Sequence, residues 1–171
     1  MAKHFNISGE LTQQLLIPGD NAKVSKISLT NVQKVSKCKV DLYIEKKLTG
    51  KFYLLKGVEL PIGATLIYDG TRFSNTVGEF GLYIKLTDGA TFTLTGAIDP
   101  TGTNTTVPGS GTAFLSELSV GDEILVTGET RTIATITSDT VATVTAAWGS
   151  DLASDATPDC NPTALVDVII N

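Results

Sequence analysis

The chain has 171 residues, 42% hydrophobic and 18% charged, so it has enough apolar material for a packed core and is too apolar for wholesale disorder. Its net charge of −5 is unevenly spread: residues 1–90 hold 12 basic and 8 acidic side chains, whereas residues 91–171 hold Arg131 and 10 acidic ones. The lysines are scattered along alternating segments, with no basic run to track a phosphate backbone, which argues against nucleic acid as a partner. With no apolar leader and no run of about 18 apolar residues, the pattern predicts a soluble protein without a membrane span, made in a reducing cytoplasm.

In chain order, Met1–Ser8 is polar and reads as a loose arm or an edge strand. Glu10–Ile17 reads as a strand, stopped by the turn sequence Pro18-Gly19-Asp20-Asn21. Ala22–Asn31 alternates apolar and polar residues but slips phase between Val24 and Ile27, which predicts a β-bulge. Val32–Lys37 is a polar connection. From Lys39 to Gly70 the alternation is strongest: Val40, Leu42 and Ile44 set a strand, Leu48-Thr49-Gly50 a turn, and Phe52 and Leu54 resume the period. Gly57 separates a further strand at Val58–Leu60, Pro61-Ile62-Gly63 breaks it, and Thr65–Tyr68 follows up to Asp69-Gly70. Four short strands in this stretch predict an antiparallel meander. Gly70–Glu79 reads as a loop in which Phe73 is either a plug or an exposed contact, Phe80–Thr87 as a strand, and Thr91–Thr95 as the start of another.

The composition then shifts. Residues 97–111 are rich in Thr, Gly and Pro and read as a linker. Residues 112–148 read as a small β-barrel-like module with turns at Val120-Gly121-Asp122, Gly128-Glu129 and Ser138-Asp139. Its expected core is Phe114, Leu118, Ile124, Val126, Ile133, Ile136, Val141, Val144 and Trp148, small enough to need outside support. Residues 149–163 read as an acidic return linker. Leu165–Ile170 is a β-forming strand with no sequence left to cover it, so it is expected to pair back beside Phe80–Thr87. The fold class is therefore all-β: an antiparallel β-sandwich from residues 1–96 and 164–171, with the small module inserted.

The chemistry-bearing residues are few. His4, the only histidine, sits in the polar N-terminal segment, and there is no GxSxG nucleophile elbow. Asp69, Glu79, Asp122, Glu123 and Asp139 fall at turns, where carboxylates ordinarily cap the backbone, so no enzyme is expected. Asp99, Asp151, Asp155 and Asp159 lack the DxDxDG spacing of a calcium loop, and Gly109-Ser110-Gly111 lacks the lysine and helix of a phosphate cradle. No metal and no cofactor is expected. Cys38 and Cys160 form no CxxC and are expected as free, buried thiols. Tyr43, Tyr53, Tyr68 and Tyr83 either line a sugar-stacking face or pack at a sheet surface or subunit contact.

SLTN at 28–31, VDLYIEKKLTGKFYLLKGVELPIGATLIYDG at 40–70 and VDVII at 166–170 resemble a small β-sandwich family of virion proteins from tailed bacteriophages. GSGTAFLSELSVGDEILVTGETRTIATITSDTVATV at 109–144 is similar to a short β-module of phage tail and other virion proteins, with its GSGTxF, LxVGDxI and threonine-rich hairpin. Together these cover about four-fifths of the chain. The resemblance implies a non-enzymatic structural component of the virion, synthesised in the bacterial host cytoplasm. Such an accessory or decoration-type protein of head, neck or tail would contact other virion proteins and copies of itself. It carries no catalytic residues. The alternative expectation is a receptor- or glycan-binding module of a tail fibre or baseplate, with a host-surface glycan as partner.

Overall fold

The computed structural model of the chain describes residues 2–46, 50–69, 72–75, 80–152 and 158–171. The first strands are β1 (Lys3–Ser8), β2 (Gln13–Leu16), β3 (Lys23–Val24), β4 (Ile27–Asn31), β5 (Cys38–Lys46), β6 (Gly50–Leu60), β7 (Thr65–Tyr68), β8 (Phe73–Ser74) and β9 (Phe80–Thr87). They are followed by β10 (Phe92–Thr93), β11 (Ala97–Ile98), β12 (Thr106–Ser110), the one-turn helix α1 (Phe114–Glu117) and β13 (Glu123–Val126). The last are β14 (Glu129–Ser138), β15 (Val141–Val144), β16 (Asp159–Asn161) and β17 (Leu165–Ile170). Among the described residues no helix is long and apolar enough to cross a membrane. Two compact units result: Met1–Gln33, Lys37–Asp88 and Ala164–Asn171 make the first, and Lys34–Ser36 with Gly89–Thr163 make the second.

The first unit contains two four-stranded antiparallel sheets, ordered β1-β17-β4-β7 and β2-β9-β5-β6, and a small β3-β8 pair. Strand alternation sends Ile7, Ile27, Leu29, Val166, Val168 and Ile170 from one sheet, and Leu16, Val40, Leu42, Leu82, Ile84 and Leu86 from the other, into one shared core. That is a β-sandwich.

Three local expectations are corrected here. Gly57 does not divide two strands: β6 runs unbroken through it. Val40 faces Val58 and Leu42 faces Leu55, so Lys56 and Gly57 together oppose Asp41. Gly57 adopts φ +59°, and the Asp41 carboxylate accepts its N–H at 2.6 Å and meets the Lys56 ammonium at 3.1 Å. The meander is also shorter than expected, because β7 leaves it and pairs with β4 in the opposite sheet. The phase slip after Val24 is a change of sheet rather than a bulge. β3 pairs with β8 and β4 with β17, and the intervening Ser25 and Lys26 N–H groups both donate to the Asn171 carbonyl, at 2.7 and 3.1 Å. Of the predicted turn Leu48-Thr49-Gly50, residues 48 and 49 lie outside the described residues, and Gly50 begins β6.

The final strand is placed differently too. β17 lies between β1 and β4, with Val166 opposite Ile7 and Val168 opposite Leu29. It does not join β9, whose two sides are already taken by β2 and β5. Lys3–Ser8 is accordingly an ordered edge strand.

The second unit is larger than the predicted module. Its seven strands are ordered β10-β16-β13-β14-β15-β12-β11. Residues 97–111, expected as linker, contain β11 and β12, and residues 149–163 contain β16. Those segments carry isolated apolar residues among Thr, Gly, Pro and Asp, too few to show a period. Yet Ile98, Val107, Leu152 and Cys160 are all buried, beside the expected Phe114, Leu118, Ile124, Val126, Ile133, Val144 and Trp148. Ile136 is partly buried, while Val141 is exposed rather than in the core. The supposed linkers supply the missing walls of the core. In place of barrel-like closure, the sheet order has two ends, β10 and β11, although Phe92 and Ile98 from those ends pack into the same core.

Candidate functional site

The carboxylates singled out in the sequence are spread over both units, and three of them, Asp122, Asp139 and Asp151, are occupied with the backbone. Asp122 is completely buried, its two oxygens accepting the N–H groups of Ser119 at 2.7 Å and Thr163 at 2.9 Å. Asp139 accepts the Leu115 N–H at 3.0 Å in the first turn of α1. Asp151 accepts the Gly102 N–H at 2.7 Å, and Asp159 accepts the Thr93 hydroxyl at 2.8 Å. Asp69, Asp99 and Glu123 are exposed, and Glu79 and Asp155 lie outside the described residues. Among the described residues no three His, Cys, Asp or Glu side chains are grouped to hold a metal ion. His4 is exposed on β1, opposite Ile169. Gly109 and Ser110 end β12, and Gly111 turns the chain toward α1. Both thiols are free and buried. Burial, with Asp88 adding to it, pushes the Cys38 thiol up to about 11; burial, with Asp122 and Glu117 adding, pushes Cys160 up to about 12.

One polar residue that sequence reasoning passed over is central to the sandwich. Asn31 is fully buried, and its amide donates to the Leu60 carbonyl at 3.0 Å while its side-chain oxygen accepts the Gln33 N–H at 2.9 Å. Its backbone accepts from Gly63 and donates to Ala64. The LTN and LPxGxT segments are thereby one hydrogen-bonded corner, and an alternation count cannot distinguish such an Asn from an ordinary strand-end residue.

The two outer faces of the sandwich differ in character. On the β2-β9-β5-β6 sheet, Gln14, Tyr83, Tyr43 and Tyr53 stand in one cross-strand row. Tyr43 and Tyr83 stack with centroids 5.6 Å apart, Tyr53 tilts against Tyr43 at 5.4 Å, and Gln14 donates to the Tyr83 hydroxyl at 2.9 Å. The Lys51 ammonium lies 4.6 Å from the Tyr43 ring centre and that of Lys56 lies 4.1 Å from Tyr53. Hydrogen bonding to Tyr43 holds Lys51 above its ordinary range; Asp41 first, then Tyr53, do the same for Lys56. Tyr43 is only 2% exposed, so its ring is packed and unavailable for stacking on a sugar, whereas Tyr53 remains 43% exposed. Tyr68 belongs to the other sheet and packs against the core. Three of the four tyrosines therefore share a face.

The outer face of β1-β17-β4-β7 has no such layer. His4, Ile169, Ser28 and Ile67 form one cross-strand row, and Asn6, Asp167, Thr30 and Thr65 form the next. Elsewhere on the first unit, Lys23, Ser25, Arg72, Phe73 and Ser74 line an open cleft of about 570 Å³. Phe73 packs against Phe80 with ring centres 5.9 Å apart and against the core, as a plug would. Asn75 fixes this segment, donating to the Ile17 carbonyl at 2.8 Å and accepting the Ala22 N–H at 2.9 Å.

Searched against models of known protein families and against curated proteins, the chain matches none.

Proposed function

We propose that this chain is a non-enzymatic structural component of a tailed-bacteriophage virion. It would be an accessory or decoration-type protein of head, neck or tail, working through contacts with other virion proteins and with copies of itself. What carries the reading is where the polar residues of the two virion-like sequence patterns fall. Asn31, from the LTN segment, is a fully buried hydrogen-bonding centre that ties β4 to the end of β6 and the turn before β7. Asp122, from the VGD segment, is the equivalent centre in the second unit. Buried polar groups of this kind specify one fold, since each must find its partners. The resemblance thus falls on residues that determine architecture, not on a run of strand-forming sequence that any β protein would share.

The charge distribution supports an assembly role. Within the structural boundaries the first unit carries 11 basic and 9 acidic residues, and the second carries 2 and 9, giving balances of +2 and −7. Such asymmetry steers a subunit's approach to charged neighbours. The test is immunogold labelling, with an antibody to this chain, of particles purified from the lysate that produces it. Label on capsid, neck or tail is the expected result; intact and disrupted particles that both lack the chain would end the proposal.

A second reading, glycan binding on a fibre or baseplate, is favoured by the cleft of Lys23, Ser25, Arg72 and Phe73. It combines an aromatic ring, hydroxyls and two cations that have no ion-pair partner among the described residues. Binding of acidic oligosaccharide to the purified chain, lost in Arg72→Ala, would establish it; no binding by the intact chain would dismiss it.

A further inference from the structure

We infer that the outer face of the β1-β17-β4-β7 sheet is a pairing surface on which two copies of this chain meet, sheet against sheet. The inference deepens the proposed function, resting on that reading only in taking the chain to act through protein contacts. Two registered rows define the face, His4–Ile169–Ser28–Ile67 and Asn6–Asp167–Thr30–Thr65. Val32 continues the outward phase of β4. Ile67 is 50% exposed, Ile169 37% and Val32 45%. A solvent-facing sheet surface ordinarily alternates to polar residues. Three half-bare aliphatic side chains on one such surface mark it as a contact site.

Charge identifies the occupant. The two rows hold only two ionisable groups, His4 and Asp167, and the Asp167 carboxylate accepts the Asn6 amide at 2.5 Å. Lys26 and Asp69, one position beyond the rows on β4 and β7, put charge at the margin alone. A chain of net charge −5 repels its own copies in general, but this face brings no cluster of like charges together. Its hydroxyl and amide groups both donate and accept, so the surface is complementary to itself, and an uncharged centre with a charged margin is the ordinary anatomy of an interface. A strongly charged partner would find nothing here to neutralise it. Pairing through the edges at β6 and β7 is discouraged, since β6 is bulged and carries Lys51 and Lys56 and β7 has only four residues.

The size of the face sets the strength. Four strands about 4.8 Å apart and five residues at about 3.4 Å give a footprint on the order of 300 Å². That is well below the roughly 800 Å² per partner of a stable complex, so pairing is weak between free molecules and effective where copies are held side by side.

The experiment is sedimentation velocity on the purified full chain from about 10 μM to about 1 mM, the range in which so small an interface would associate. The intact chain should shift reversibly toward dimer. Ile67→Lys and Ile169→Lys, which bury a charge in the face, should weaken association at least about tenfold. Lys85→Glu, on the other sheet, should not weaken it, and unchanged tyrosine near-UV dichroism confirms that each variant is folded. A chain that stays monomeric throughout, or a dimer indifferent to both isoleucine substitutions, overturns the inference. Either outcome is separable from the virion proposal, which particle labelling decides on its own.

Discussion

Asp122→Ala is the most informative single change in the second unit. It removes the acceptor of two N–H groups, those of Ser119 and Thr163, inside a region where Asp122 itself has no exposure. A hydrogen bond to a charged group contributes about 1.5–3 kcal/mol, and the pair therefore accounts for about 3–6 kcal/mol. For a unit of this size about 1 kcal/mol moves the midpoint by 4–8 °C, so the transition should fall by at least about 12 °C. The assay is built into the composition. Trp148, the only tryptophan, is buried in the second core, whereas all four tyrosines belong to the first unit. Thermal unfolding followed by tryptophan fluorescence therefore reports the second unit alone. A tryptophan transition displaced by less than about 1 kcal/mol would refute the assignment of Asp122 as the hydrogen-bonding centre of that unit.

Two further outcomes follow from packing and ionisation. A Cβ on Gly109 would overlap the Thr112 hydroxyl and stand 3.0 Å from the Phe114 ring, so Gly109→Ala should lower the same tryptophan-reported transition by about 1–3 kcal/mol. Because both thiols are buried with raised pKa values, native protein at pH 8 should react slowly with a thiol reagent and release two equivalents only on unfolding. The same shifts fix a sign. The unfolded thiols ionise near 9.0 while the folded ones hold their protons to about 11 and about 12. Stability from this source is thus complete below pH 9 and declines across that alkaline window, which denaturant titrations at pH 8 and 10.5 would measure.

The strands with a full apolar period were legible from sequence: Phe80–Thr87, Val40–Ile44 and Leu165–Ile170 each show it and each is a strand. What the period could not supply was the identity of the neighbour. Alternation says which side chains face inward, but β7 beside β4 and β17 beside β1 depend on which edges remain unpaired, a property of the assembled sheets. The segments misread as linkers failed for another reason. Ile98, Val107 and Cys160 are single apolar residues in two- to five-residue strands, too short to express alternation amid prolines and glycines. The outer faces were half legible. Tyr43 falls opposite in phase to Leu42 in the sequence itself, but the cation and ring contacts that bury it come from β6 and β9 through a register altered by the bulge.

The place of β17 between β1 and β4 also bears on how the chain is made. By the time Thr163 has left the ribosome, every described strand of the second unit is present, whereas the first sheet still lacks β17, the second strand in its order. The usual order, in which the earlier-synthesised domain closes first, is inverted. Until Leu165–Ile170 arrives, β1 and β4 are two facing edges one strand apart, with Ile7 and Leu29 behind them. A nascent chain paused at that point offers a ready slot to any β-forming segment nearby, including the same strand of a neighbouring nascent chain.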